Sequence, residues 1–269
     1  MHLTGASADA LAVLREELDR VLSGGADPAR MGDDLFTVSV VLRSEPSLRR
    51  VVTDVSLPAE AKQGLVRGLF EGKADRASLE LILSAVGRRW RASRDLADSL
   101  EHLSEVAVVK SAGSETARLA DELFEVAQVV QHDAALRDAL SDPARSIDDK
   151  SALVSGLLEG RALPATVTLA RQSLAGTYRT VGVALATYQK VAAEVHGEGV
   201  ATVRVAQPLA SDEMTRLGNA LSRHYGRAVH LNMVVDPDVV GGIRVEIGDD
   251  VIDGTLSARL DSARRQLAG

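Results

Sequence analysis

The sequence predicts a mainly α-helical protein: two related six-helix-type bundles followed by a small C-terminal α/β domain. Three observations predict it. Apolar residues recur at helical spacing, with short connections, as far as residue 196. A set of residues from the first part returns at a constant offset. After Gly197, Glu198 and Gly199 the period changes, and β-branched residues take over. The expected domains are 1–111, 112–197 and 198–269.

Ser7 is placed to cap a first helix over 8–22, where Leu11, Leu14, Leu18, Val21 and Leu22 form one apolar stripe. Ser23, Gly24 and Gly25 end it. A second helix over 28–43 carries Leu35, Phe36, Val40 and Val41. Pro46 restarts the chain into a short helix with Leu48, Val51 and Val52. Leu57 and Pro58 open another, with Leu65, Val66, Leu69 and Phe70. Helices over 79–91 and 92–111 complete a compact bundle.

The pattern then returns. Leu123, Phe124 and Val126 stand 88 positions after Leu35, Phe36 and Val38. At the same offset Leu136 and Arg137 repeat Leu48 and Arg49, and Asp142 repeats Asp54. Lys150, Leu153, Val154, Gly156, Leu157, Glu159 and Gly160 repeat Lys62, Leu65, Val66, Gly68, Leu69, Glu71 and Gly72. Trp90 and Arg91 are matched by Tyr178 and Arg179. A gapless offset marks a duplicated unit, so 35–107 and 123–195 are expected to share one helix order, joined through the helix over 92–111.

The second bundle is expected to end with a helix over 177–196. Val200, Thr202, Val203 and Val205 favour a strand, and Ser211, Asp212 and Glu213 begin a helix carrying Met214, Leu217 and Leu221. Val229, Leu231 and Met233 alternate as a second strand. Asp236 and Pro237 then turn the chain, and Gly241 and Gly242 permit a bulge or a close backbone approach. Ile243, Val245 and Ile247 alternate with Arg244 and Glu246 as a half-buried strand. Gly248 begins a reversal, and Asp253 and Gly254 precede a last helix over 256–267.

Aromatic residues make up only 3% of the chain, so aliphatic side chains must do the packing. The net charge of −7 argues against nucleic acid, which needs a basic face, and against adhesion to anionic lipid. There is no cysteine, so disulfides, thiolate nucleophiles and thiolate-bound zinc are excluded. No apolar run is long enough to span a bilayer, and residues 1–9 lack the pattern of a signal peptide. The histidines His2, His102, His132, His196, His224 and His230 do not fall at metal-ligand spacing. No phosphate-binding loop, dinucleotide fingerprint or nucleophile elbow occurs. Asp236, Asp238, Asp249, Asp250 and Asp253 read as turn and cap residues, and Arg88, Arg89, Arg91 and Arg94 beside Trp90 as a solvated face or a contact for an acidic partner. No catalytic, cofactor or metal residue is assigned.

The stretch from Val234 to Leu256 carries a family resemblance. Asp236, a short apolar pair, Gly241 and Gly242, the strand with Ile243 and Val245, then Gly248, Asp253 and Gly254 resemble the C-terminal signature of the delta subunit family of F-type ATP synthases, the bacterial counterpart of the oligomycin-sensitivity-conferring protein. Both helical copies resemble the single bundle of that family. The duplication looks like the actinobacterial form, with the second bundle as the inserted part. No membrane-anchored b-type segment precedes Met1, so an unfused version is expected.

The resemblance implies a non-catalytic stator subunit. It would join N-terminal segments of the alpha subunits to the b-type peripheral stalk, on the cytoplasmic face of a bacterial membrane, without cofactor and without direct membrane insertion. It implies an alpha-binding groove between the first and fifth helices of the N-terminal bundle, where Leu11, Leu14, Leu18, Leu83 and Val86 are the expected lining. The alternative is a helical adaptor unrelated to ATP synthase, or an enzyme with an unrecognised site. A polar pocket with strongly shifted titratable groups would favour the enzyme.

Overall fold

The computed structural model describes residues 3–237, 239, 241–248 and 250–255. The chain divides into two compact units, Met1–Val191 and Ala192–Gly269, and the helical copies fall in the first apart from the last residues of their final helix. Its helices are α1 (Ala6–Ser23), α2 (Pro28–Ser44), α3 (Pro46–Thr53), α4 (Ala59–Phe70), α5 (Arg76–Gly87) and α6 (Ser93–Ser111). After a 3₁₀ turn at Gly113–Glu115 come α7 (Thr116–His132), α8 (Ala134–Ser141), α9 (Ile147–Leu158), α10 (Pro164–Gln172) and α11 (Val181–His196).

These bounds repeat. Both ends of α7, α8 and α9 lie 88 residues after those of α2, α3 and α4, and α10 and α11 start at the same offset from α5 and α6. The fastenings repeat as well. Arg30 pairs with Asp34 at 3.2 Å, and Asp34 Oδ2 accepts the Asp75 backbone N–H at 2.8 Å, at the start of α5. In the second copy Arg118 pairs with Glu122 at 2.8 Å, and Glu122 Oε2 accepts the Leu163 N–H at 2.8 Å, at the start of α10. Each carboxylate thus satisfies a helix-terminal donor that would otherwise lack a partner.

The sharing of α6 is the main architectural finding. Counterparts of α1 at the same offset fall within α6, so the two copies are overlapping six-helix sets, α1–α6 and α6–α11. A surface helix buries one stripe, but α6 is buried on both sides. Leu96, Leu100, Leu103 and Ala107 join the core of the first set with Leu14, Leu18, Leu35, Ile82 and Val86. Against the second set it presents polar groups. Ser104 Oγ donates to the Gly32 carbonyl at 2.7 Å, in the first set, and lies 3.4 Å from Gln172 Oε1 in the second. Gly32 has no room for a side chain, since a Cβ there would run into Val108 of α6.

Three local expectations are corrected. Ser7 lies inside α1 and is buried; its hydroxyl donates to Asp95 Oδ2 at 2.7 Å and accepts the Arg91 N–H at 2.8 Å, tying α1 to the start of α6. The last helix of the second set begins at Val181 rather than near Thr177. The chain before it is claimed by α6: Glu101 accepts the Thr177 N–H at 2.8 Å and Glu105 accepts the Tyr178 hydroxyl at 2.7 Å. A fourth strand, which the sequence did not announce, follows the strand at Ile243–Ile247.

The second unit holds β1 (Gly199–Val205), α12 (Ser211–Tyr225), β2 (Val229–Val235), β3 (Ile243–Ile247) and β4 (Asp250–Asp253). The sheet order is β2-β1-β3-β4, with β1 and β2 parallel across the α12 connection and the other pairs antiparallel. Alternate β1 residues Ala201, Val203 and Val205 form a core with Val245, Ile247 and Leu221 of α12. The expected helix over 256–267 lies outside the described residues.

Glu101 gives a pH prediction. Burial raises its carboxyl above the ordinary value, against the opposing pull of the Thr177 hydroxyl and of Arg43. A raised carboxyl pKa means that the folded state holds the proton more tightly, so this contribution is present at low pH and is lost as pH rises through the folded value. Urea midpoints of the native chain relative to Glu101→Gln should fall as pH rises from about 4.5 toward neutrality. A difference that stays flat or climbs rejects this account.

Candidate functional site

Of the five residues expected to line a groove between α1 and α5, four are sealed into the first core. Leu14, Leu18, Leu83 and Val86 are buried, and only Leu11 keeps part of its surface. An apolar stripe on a bundle helix is first of all its contact with the bundle, so the stripe marks the core-facing side of α1 and α5. The basic cluster is structural in part, since Arg89, Arg91 and Arg94 are exposed. Trp90 is buried and its Nε1–H donates to the Ala85 carbonyl at 2.9 Å, while Arg88 pairs with Glu17 at 2.6 Å.

The most polar interior region lies where α6 meets the second set. Glu101 accepts hydrogen bonds from Arg43 of α2 and from the Thr177 hydroxyl. His102 Nδ1 is 3.1 Å from Glu105, and Arg15 reaches the other ring nitrogen of His102. Burial raises the Tyr178 and Tyr188 hydroxyls far above the ordinary range, and Glu105 adds to both. Except for the Tyr188 hydroxyl, which is buried without a hydrogen-bond partner while its ring packs edge-on against Tyr178, these groups are spent on one another, as a joint between two helical sets. Beside them a cavity of about 400 Å³ is lined by Asp33, Thr37, Ser151, Arg171 and Gln172 among others. Burial is the main cause that raises the Asp33 carboxyl. Ser151 Oγ there accepts from Arg171 Nε at 2.8 Å, and no histidine lines the cavity, so a hydroxyl nucleophile with an adjacent imidazole base is not assembled in it.

In the second unit the sequence signature builds one corner. The Asp236 N–H donates to the Val205 carbonyl at 2.8 Å and its carboxylate lies 4.0 Å from Arg204. Gly241 and Gly242 have φ of 63° and 84°. Ile243 and Val245 face the core, and Gly248, with φ 59°, begins the reversal from β3 into β4. Asp253 Oδ1 accepts the Thr255 N–H at 3.0 Å and its hydroxyl at 2.6 Å, and the Gly254 N–H donates to the Ile243 carbonyl at 2.9 Å. Asp238 and Asp249 lie outside the described residues. The sheet face away from α12 carries charge: Glu246 lies 3.6 Å from Arg204 and 3.1 Å from Arg244. His196 and His230 lie 3.6 and 3.8 Å from Glu198. Among the described residues no group of three or more His, Cys, Asp or Glu is arranged to hold a metal ion, and no helix is long and apolar enough to cross a membrane.

The family model for the ATP synthase delta (OSCP) subunit matches residues 103–267. A protein of Nocardioides sp. named ATP synthase subunit delta is 59% identical over 99% of this chain and 98% of its own length. Proteins of the same name from Kineococcus radiotolerans and Streptomyces avermitilis are 43% and 40% identical, covering 98% or more of both chains in each case. The chain belongs to the ATP synthase delta (OSCP) subunit family. The relatives span it from end to end, so the sequence of the two-set helical part is shared with these delta subunits rather than peculiar to this chain. The matched range begins within α6 and takes in the second helical set and the C-terminal unit.

Proposed function

We propose that this delta-family chain is a stator subunit that holds the catalytic head of ATP synthase through its helical unit and the b-type peripheral stalk through its C-terminal unit, so that proton-driven rotation is converted into ATP synthesis. A rotary motor needs a part that does not turn, and such a part needs two binding surfaces and no chemistry of its own. Membership of the delta family over the whole chain carries the reading. The two separately packed units supply the two surfaces. The helical unit suits the N-terminal helical segments of alpha subunits, docked as amphipathic helices in a groove. On α1 and α5 the partly exposed Leu11 is the residue available for such contact. The peripheral place at the cytoplasmic membrane face follows from the assembly, not from a membrane-crossing helix.

The test is a division of labour. A chain ending at residue 196 should bind an alpha-type N-terminal peptide with the affinity of the full chain and lose the stalk. A chain of 199–269 should do the reverse, although its length is near the lower limit at which a single core sustains folding. Equal stalk binding by the shortened N-terminal chain and the full chain would overturn the proposal.

A further inference from the structure

The duplicated sets are not packed equally, and the difference makes a groove. In the first set Leu42, Phe70 and Ile82 fill the space under α3 and α4, all buried. At the same three positions the second set has Val130, Leu158 and Ala170, each smaller, and all three line a cavity of about 600 Å³. Val52 to Leu140 runs the other way by one methylene and does not fill it. The helices have parted accordingly, for α9 packs less extensively on α8 and α10 than α4 does on α3 and α5. The outer leucines are common to both sets: Leu65 and Leu69 on α4, Leu153 and Leu157 on α9. The second set therefore keeps the apolar rim of the first and omits its floor. Apolar side chains that face a groove of this size forgo the burial their counterparts achieve in the first set, so the groove suits an apolar partner surface.

We propose that the groove of α7–α10 takes an amphipathic helix from a partner chain, with apolar side chains at i, i+3 or i+4 and i+7, basic residues along one flank and acidic residues along the other. The walls define that chemistry. α7 contributes Val126 and the exposed Val129 between Glu125 and Asp133, an acidic wall. α9 contributes Leu153 and the 41% exposed Leu157, and on this side the charged groups of the lining are the exposed Arg145, 3.9 Å from Asp142, and Arg161, one at each end of the helix, while Asp148 and Asp149 of its first turn lie outside the lining. Opposite charge on the two walls selects a helix with the complementary charges on its flanks, as flanking charges select partner and direction in a coiled coil. α9 has 12 residues, so the trough accommodates roughly three turns of helix. The inference goes beyond the stator reading, since it concerns a third surface and holds for whichever subunit supplies the helix.

The test places the photoreactive residue p-benzoylphenylalanine at Leu157 in the full chain, in cells that assemble it. After irradiation the crosslinked peptide is sequenced. Expected is one helical segment with the apolar spacing and split flanks described. A crosslink to a second copy of this chain, to a lipid or other small molecule, to a segment without that pattern, or to nothing overturns the proposal. Restoring the floor with Val130→Leu, Leu158→Phe and Ala170→Ile should raise the Tm of the isolated chain and lower crosslink yield at least tenfold. Should that variant fail to fold, Val129→Glu, on the exposed lip of the acidic wall, should produce the same loss with the Tm unchanged. An undiminished yield in the variant that folds also overturns the proposal.

Discussion

Gly242→Val should disable the C-terminal unit and leave the helical unit intact. Two independent costs fall on this position. Its φ of 84° is a region that β-branched residues essentially do not occupy. A Cβ would also strike backbone: it would lie 2.9 Å from the Thr255 Cα and closer still to the Gly254 carbonyl oxygen. No rotamer relieves a clash with main chain, and the nearby bond from the Gly254 N–H to the Ile243 carbonyl is what closes the end of the β3–β4 pair. Strain of about 1–2 kcal/mol from the dihedral alone, with the clash added, is a large part of what a unit of this size has to spare. Amide protection in β3 should collapse, and stalk binding with it, while helical circular dichroism of α1–α11 is kept. Gly248→Ala is the control. Gly248 has a φ of 59° but open space around its Cβ, so only the dihedral cost of about 1 kcal/mol applies. If the two variants protect β3 equally, the close approach is not what Gly242 provides.

The contrast between these glycines shows what a sequence discloses. The signature from Asp236 to Gly254 was legible because each residue type has one cheap backbone use: glycine for positive φ, aspartate for a turn, alternation for a half-buried strand. The repeat was legible for the same reason, since Gly72 and Gly160, Lys62 and Lys150, Asp54 and Asp142 keep identities that any helix does not require. The sharing of α6 was hidden by its own consequence. A helix that serves two bundles loses the single apolar stripe, so where α1 has Leu11 and Leu14, α6 has Ser99 and His102. Only the spacing of the element ends reveals that the two helices correspond. β4 escaped notice because its four residues are all exposed and begin and end in aspartate, without alternation. The groove on α7–α10 lay in the repeat all along, as three core positions that became smaller together, but it required knowing that those positions are floor rather than rim.

Leu14→Asp should abolish cooperative folding of the first helical set, where the sequence alone suggested only a weakened contact with an alpha segment. Leu14 has no solvent-exposed surface and packs in the cluster that includes Leu18, Ile82, Val86 and Leu100. Removing a buried leucine side chain costs about 2–5 kcal/mol. A carboxylate left in that space without a cation adds several more, or takes up a proton instead. The sum is comparable to the whole stability of a domain, about 5–15 kcal/mol. His102 stands 88 residues after Leu14 and shows why its polarity is tolerated: it is supplied with Arg15 and Glu105, whereas Leu14 packs within the apolar cluster of the first set. Leu11→Asp separates folding from recognition, because Leu11 keeps part of its surface. It should melt within a few degrees of the native chain while titration with an alpha-type N-terminal peptide weakens. A cooperative melt for Leu14→Asp close to that of the native chain would mean that the first core repacks around position 14, and α1 would then be free to present the whole stripe to a partner.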